Sequence, residues 1–180
     1  VMGRYAGWIA LHSGVSATAD VILIPEIPYD INKVAEKVLE REEAGRPFSV
    51  IVAAEGATPI GGEYTILADK AAGQVERLGG IGRKVAAELG TITGKDTRHV
   101  VLGHLLRGGT PTSFDRLLSL RFGAAAVRAL DEGQSGVMVA LDPPTVNYVP
   151  LDKANQRMKI VSSDCDTMLT ARDMGISFGD

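Results

Sequence analysis

This 180-residue sequence has only one cysteine, no excess of basic charge and no long hydrophobic run. The single cysteine, Cys165, excludes an internal disulfide and any multi-cysteine metal site. The net charge of −3 argues against a general nucleic-acid binder, because such proteins usually carry a basic excess. No apolar run approaches the ~20 residues of a membrane helix. We therefore expect neither a nucleic-acid nor a membrane partner.

What the sequence does contain is typical of a globular domain, with 45% hydrophobic and 23% charged residues. Its length suffices for one compact α/β domain, or for one small domain and part of a second. Val1 precedes Met2, and no strand or helix cap opens the chain. We expect that this is a piece of a longer protein.

The hydrophobic pattern alternates between buried strands and amphipathic helices. The predicted helices cover residues 5–18, 31–44, 81–89, 112–130 and, weakly, 170–174. The predicted strands cover residues 21–24, 48–54, 98–102, 137–141 and 146–149, while residues 56–79 are interpreted mainly as a loop. Asp30 is predicted to cap the second helix, and Thr112 and Asp115 have capping-box spacing. Alternation of this kind predicts an α/β fold with a mostly parallel sheet and helices on both faces.

Parallel sheets bind ligands at the carboxyl ends of their strands, which directs attention to Glu26, Glu55 and residues 103–109. The last of these segments offers His104 and Arg107, two glycines and the start of a capped helix. Such residues can hold a phosphate through charge-assisted hydrogen bonds and backbone donors. The alternative is a plain strand-to-helix turn with a solvated arginine.

Other charged residues are individually ambiguous. A strand over 98–102 would separate Arg98 from His104 by roughly 15–20 Å, so both could reach one ligand only across two subunits or a bent chain. Arg98 could equally be an ordinary surface charge. Glu55 could accept hydrogen bonds from sugar hydroxyls or be a solvated strand end. Arg4 lies near a predicted helix start, a poor place for a cation unless an anion is bound there.

Two other patterns do not qualify as sites. The glycines before Lys95 lie one residue too close for a phosphate-binding P-loop, and Asp96 replaces the required serine or threonine. His12 is interpreted as a packed residue on the apolar face of the first helix, a face formed by the following residues: Tyr5, Trp8, His12, Val15 and Ala19.

Three segments together resemble the 6-phosphofructokinases in sequence, order and interval: residues 2–7 (MGRYAG), 19–26 (ADVILIPE) and 102–116 (LGHLLRGGTPTSFDR). The final stretch, 170–180, resembles the branch that contains ATP-dependent, diphosphate-dependent and mixed members. The resemblance covers essentially the whole chain. Leu106 departs from it, since a glutamine is common there, but no ligand residue is lost.

The resemblance implies a kinase of glycolysis that phosphorylates the 1-hydroxyl of fructose 6-phosphate. It implies that His104 and Arg107 bind the 6-phosphate and that Arg98 reaches this phosphate from a neighbouring subunit. It also implies that Glu55 holds sugar hydroxyls.

The same resemblance implies that Met2 and Gly3 line the sugar and that Arg4 lies near the transferred phosphate. Arg4 is thus the one candidate catalytic residue of the chain. There its charge would stabilise a loose phosphoryl-transfer transition state.

The family's donor-binding loops and its catalytic aspartate have no counterpart here, so the chain is expected to be a C-terminal portion that is inactive alone. The implied fold is Rossmann-like. Residues 1–105 would form the substrate domain, residues 106–155 would return to the donor domain, and residues 156–180 would pack back on the substrate domain. The donor would be ATP or diphosphate, with Mg²⁺ bound mainly outside this chain and no metal ligand within it. A cytoplasmic homo-oligomer is expected, and the alternative is a non-catalytic sugar-phosphate-binding or regulatory module.

Overall fold

A computed structural model describes residues 1–68 and 77–180, which form two compact units. The first unit contains Val1–Arg107 and Ile160–Asp180, and the second contains Gly108–Lys159. The assignment of these parts to sugar and donor binding stays a prediction.

The helices of the described residues are α1 (Trp8–Ser16), α2 (Ile31–Glu43), α3 (Ile81–Thr93), α4 (Ser113–Asp131), α5 (Leu151–Ala154) and α6 (Asp166–Asp173). The strands are β1 (Val21–Leu23), β2 (Ile51–Ala53), β3 (Ile66–Ala68), β4 (Arg77–Leu78), β5 (Val137–Asp142) and β6 (Thr145–Pro150). A 3₁₀ turn spans Gly103–Arg107.

The first unit is organised around the parallel pair β1–β2, in which Val21 lies opposite Ile51. A third segment joins β1 on its other side, because the Ser177 N–H donates to the Asp20 carbonyl (3.0 Å) and the Ile22 N–H donates to the Ser177 carbonyl (2.9 Å). This short sheet is therefore completed by a residue close to Asp180.

Strand β1 is buried on both faces, as expected for a central parallel strand. Ile22 and Ile24 pack in the hydrophobic cluster that contains residues of α1 and α6. Val21 and Leu23 point to the opposite side and pack in the cluster that contains residues of α2 and α3. The predicted α/β fold with helices on both faces of a parallel sheet is confirmed for this unit, although β3–β4 and β5–β6 are antiparallel pairs.

Helix α2 forms where its sequence predicts it. The Asp30 carboxylate accepts a hydrogen bond from the Asn32 N–H (2.8 Å), so this residue is the predicted N-cap. Val34 and Ala35 form its buried side.

Helix α1 differs from its prediction. It begins at Trp8 rather than at residue 5, and its buried residues are Ala10, Leu11 and Gly14. Tyr5 is 50% exposed and His12 is also exposed, so the interpretation of His12 as a packed residue is wrong. Trp8 and Val15 do pack against the core as predicted, but glycine and alanine let the helix approach the sheet closely, so apolar periodicity identified only part of the buried face.

Two predictions on either side of α3 are also wrong in part. Residues 98–102 form no strand: Val100 and Val101 are 81% and 68% exposed. β-Branched residues favour strands only where a neighbouring strand and a packed face support them. Within the predicted loop 56–79 the structure has β3 and β4, and residues 69–76 of this stretch lie outside the described residues.

The second unit consists of α4, the hairpin β5–β6 and the short helix α5. The capping box at the start of α4 is confirmed: the Asp115 N–H donates to the Thr112 hydroxyl, and the Thr112 N–H donates to the Asp115 carboxylate. Pro143 and Pro144 form the turn that joins the two strands.

Helix α4 has two apolar faces. One contains the buried residues Ala125 and Ala129. The other carries Leu117, Leu120 and Val127, which are 58–72% exposed. A helix that is apolar on opposite sides is normally buried on both.

Candidate functional site

The first four residues of the chain lie against the end of β2. The Val1 ammonium donates to the Ala53 carbonyl (2.8 Å), and the Glu55 N–H donates back to the Val1 carbonyl (2.9 Å). This alternation is that of a parallel ladder. One step further, the Gly56 N–H donates to the Gly3 carbonyl (2.9 Å).

These backbone bonds bring together four of the seven predicted site residues: Met2, Gly3, Arg4 and Glu55. The Arg4 and Glu55 side chains are both partly exposed, at the carboxyl end of the parallel strands, where ligands are expected. The Arg4 guanidinium lies 5.8 Å from the centre of the Tyr5 ring.

His104 and Arg107 lie on the 3₁₀ turn and are both exposed. Residues three apart in a 3₁₀ helix eclipse one another. The turn therefore presents the imidazole and the guanidinium on the same side, an arrangement suited to one phosphate.

Arg98 lies in the extended segment before that turn, and its side chain is 88% exposed. It forms an ion pair with Asp96 at 3.1 Å, a surface contact that contributes little to stability. Because residues 98–102 do not form a strand, the separation of roughly 15–20 Å that a strand would impose between Arg98 and His104 does not apply.

Glu26, the other acidic residue at a strand end, is engaged within the protein. Its carboxylate accepts hydrogen bonds from the Gly7 N–H, at 3.0 and 3.1 Å from its two oxygens, and from the Val161 N–H (2.8 Å). Gly7 is the residue at the N-cap of α1. Glu26 thus joins the start of α1 to the segment before α6, which makes it a structural residue rather than a ligand.

The sequence interpretation did not assign a role to Gly56. Its only sequence signal is its position directly after Glu55, at the end of a buried strand. The backbone contact with Gly3 and Arg4 becomes visible only in the fold, because those residues are more than fifty positions away in the chain.

Residues 1–68 and 77–180 contain no group of three or more His, Cys, Asp or Glu side chains that could hold a metal ion. In the same two ranges, no helix combines the length and the apolar character that crossing a membrane requires.

Comparison with known proteins adds independent information on this geometry. The family model described as Phosphofructokinase matches residues 1–130. An ATP-dependent 6-phosphofructokinase of Chloroflexus aurantiacus is 52% identical over the whole chain, which spans 49% of that relative. A pyrophosphate–fructose 6-phosphate 1-phosphotransferase of Amycolatopsis mediterranei is 50% identical over 89% of the chain, which spans 47% of it.

A solved structure, the pyrophosphate-dependent phosphofructokinase from Marinobacter aquaeolei, has a similar fold. It superimposes with a TM-score of 0.75 over 98% of the chain and 46% of its own length, at 22% identity. The chain thus spans about half the length of the curated relatives it matches.

Proposed function

Because the chain belongs to the phosphofructokinase family, we propose that it supplies the fructose 6-phosphate site of a 6-phosphofructokinase. The observation that carries this proposal is the 3₁₀ turn, which presents His104 and Arg107 on one side at the end of an extended segment. The register between residues 1–4 and Glu55 supports it, because it groups further sugar-lining candidates.

In this proposal the 6-phosphate is bound by Arg107 and His104. The guanidinium offers a planar pair of donors to two phosphate oxygens, and the imidazole adds a third contact. Arg98 of a second copy of the chain would reach the same phosphate, and its full exposure in one copy is compatible with that role. Exchange of its weak ion pair with Asp96 for a phosphate would cost little.

The other end of the sugar would lie against residues 2–4 and Glu55. The Glu55 carboxylate accepts hydrogen bonds from sugar hydroxyls, while Met2 and Gly3 line the ring. Arg4 stabilises negative charge on the phosphoryl group as it transfers to the 1-hydroxyl.

The remaining parts of the reaction are proposed to come from outside residues 1–180. These are the donor site for ATP or diphosphate, the general base, and most ligands of Mg²⁺, which neutralises charge on the donor phosphates. The unit formed by residues 108–159 would belong to the donor domain, and the exposed apolar face of α4 supports this assignment. We place the complete enzyme in the cytoplasm as a homo-oligomer acting in glycolysis.

Two measurements test the proposal. Calorimetry should show saturable binding of fructose 6-phosphate to the chain in the millimolar range, with glucose as a control that lacks the phosphate. The complete gene product should phosphorylate fructose 6-phosphate with ATP or diphosphate. Absence of both binding and turnover would contradict the proposal.

A second candidate is a non-catalytic sugar-phosphate-binding or regulatory module. The observation that favours it is that the chain spans only about half of its relatives. This module would bind fructose 6-phosphate, but the complete gene product would show no turnover with either donor. Turnover with one donor therefore separates the two candidates.

A further inference from the structure

Gly56 lies very close to the backbone of residues 3 and 4. A Cβ atom built on Gly56 would lie 1.9 Å from the Arg4 carbonyl oxygen and 2.9 Å from the Gly3 carbonyl oxygen. Both neighbours are backbone atoms and cannot rotate away as a flexible side chain would. Only a residue without a side chain allows the two segments to lie at this distance.

This close contact between Gly56 and residues 3 and 4 lies within the proposed site. The Gly56 N–H donates to the Gly3 carbonyl (2.9 Å), and Gly56 itself is buried. Gly56 follows Glu55 directly, so the contact joins the backbone of one proposed sugar ligand to that of Arg4. Any residue larger than glycine would shift one of the two segments by about 1 Å or more, since real Cβ contacts are rarely shorter than 3.0 Å.

We infer that Gly56 is a positioning residue that holds Arg4 and Glu55 in register across the site, an inference that rests on the proposed function. It does not contact the substrate. It acts through Arg4, whose guanidinium must lie close to the negative charge that develops on the phosphoryl group only during transfer. Misplacement of such a group by about 1 Å can lower turnover by about a hundredfold.

The test is a double-mutant cycle in the complete gene product, with kcat and KM for fructose 6-phosphate measured separately. We expect Gly56→Ala to lower kcat between tenfold and a hundredfold and to change KM less. In an Arg4→Ala background the same substitution should lower kcat by less than threefold, because the group it misplaces is already gone. Partial unfolding would instead lower kcat equally in both backgrounds.

Gly82→Ala is the matched control. Gly82 lies in α3, where an added Cβ would make one ordinary contact, 3.9 Å from the Cβ of His99. This variant should keep kcat within twofold. Circular dichroism and thermal unfolding verify that each variant is folded.

If Gly56→Ala does not fold, Gly3→Ala tests the same register from the other side. Its Cβ would meet Ala54 and Ala6 at 3.1 Å, and its φ of +147° adds strain. The inference is overturned if either variant lowers kcat by the same factor in the wild-type and Arg4→Ala backgrounds. It is also overturned if kcat does not change. Complete absence of fructose 6-phosphate turnover in the wild-type protein overturns the proposed function as well, and so the two failures are distinguishable.

Discussion

At the scale of single residues, the proposed site depends on a few cations held by short backbone segments. Arg107 belongs to a 3₁₀ turn of five residues, none of which is buried. Its contribution to sugar-phosphate binding is therefore the most direct quantity to measure.

Arg107→Ala should weaken fructose 6-phosphate binding by about tenfold to a hundredfold, because a charge-assisted hydrogen bond contributes about 1.5–3 kcal/mol. In the complete gene product KM should rise more than kcat falls, since the contact exists before and during the reaction. The control is Arg83→Ala on the exposed surface of α3, which should bind normally. Equal weakening by both variants would indicate a general charge effect instead.

Tyr29 affects the stability of the protein rather than ligand binding. Its ring is fully buried, and its hydroxyl has no hydrogen-bond partner among residues 1–68 and 77–180. Burial, aided by the charge of Glu88, raises its pKa to about 12. Tyr29→Phe should therefore stabilise the protein by about 1 kcal/mol in urea unfolding at pH 8, because it removes an unpaired buried polar group.

The pH dependence of this effect has a defined sign. The unfolded phenol ionises near pH 10, but the buried one keeps its proton until about pH 12. The wild-type protein should therefore lose stability as pH rises above 10, and Tyr29→Phe should lose less. Tyr64→Phe, at a 43% exposed position, should match the wild type. A constant difference between pH 8 and 11 would contradict this account.

At the scale of elements, sequence signals worked where the local chain determines the structure. Asp30 and the Thr112–Asp115 pair supply their own caps, and both helices begin where these residues predict. The strand predicted over 98–102 failed because strand formation needs a partner elsewhere in the chain. The buried face of α1 was predicted only in part, because Gly14, an unlikely core residue, contacts Ile22.

The residues of the candidate site also differ in whether the local sequence could predict their arrangement. His104 and Arg107 lie within one turn, and their joint presentation follows from local spacing. Gly56 could not be predicted from its neighbours, since its role depends on contact with the distant Arg4. The family resemblance, by contrast, was predicted from short segments alone, and the family model that matches residues 1–130 confirms it.

The capping box of α4 provides an element-scale prediction. The Thr112 hydroxyl and backbone N–H both bind the Asp115 carboxylate, and these hydrogen bonds lower the pKa of that carboxyl group. Thr112→Ala should destabilise the first turn of α4 by about 1 kcal/mol, seen as faster amide exchange at residues 115–117. Thr112→Ser keeps the hydroxyl and should exchange slowly. As the pH falls through the lowered pKa of Asp115, the wild-type advantage should shrink to the part that comes from the bond between the Asp115 N–H and the Thr112 hydroxyl.

At the scale of the whole molecule, the two units differ in how much of their apolar surface they bury. The first has two hydrophobic clusters on either side of a sheet. The second buries little of α4, and its second apolar face is exposed. A surface of this kind normally binds another protein segment.

Leu117→Glu together with Leu120→Glu tests that assignment. In the isolated chain the pair should reduce self-association, measured by sedimentation, because it removes exposed apolar area. In the complete gene product it should reduce turnover at least tenfold by preventing burial of α4 against the donor domain. The control is Gln134→Glu, in the exposed turn after α4, which should retain activity. An active Leu117/Leu120 double variant would contradict the assignment.

The sheet contact of Ser177 has a consequence for protein production. During synthesis, the ribosome must complete all of residues 108–159 before this residue can close the edge of β1. Until then the first unit of the nascent chain has an open, apolar sheet edge that chaperones would recognise.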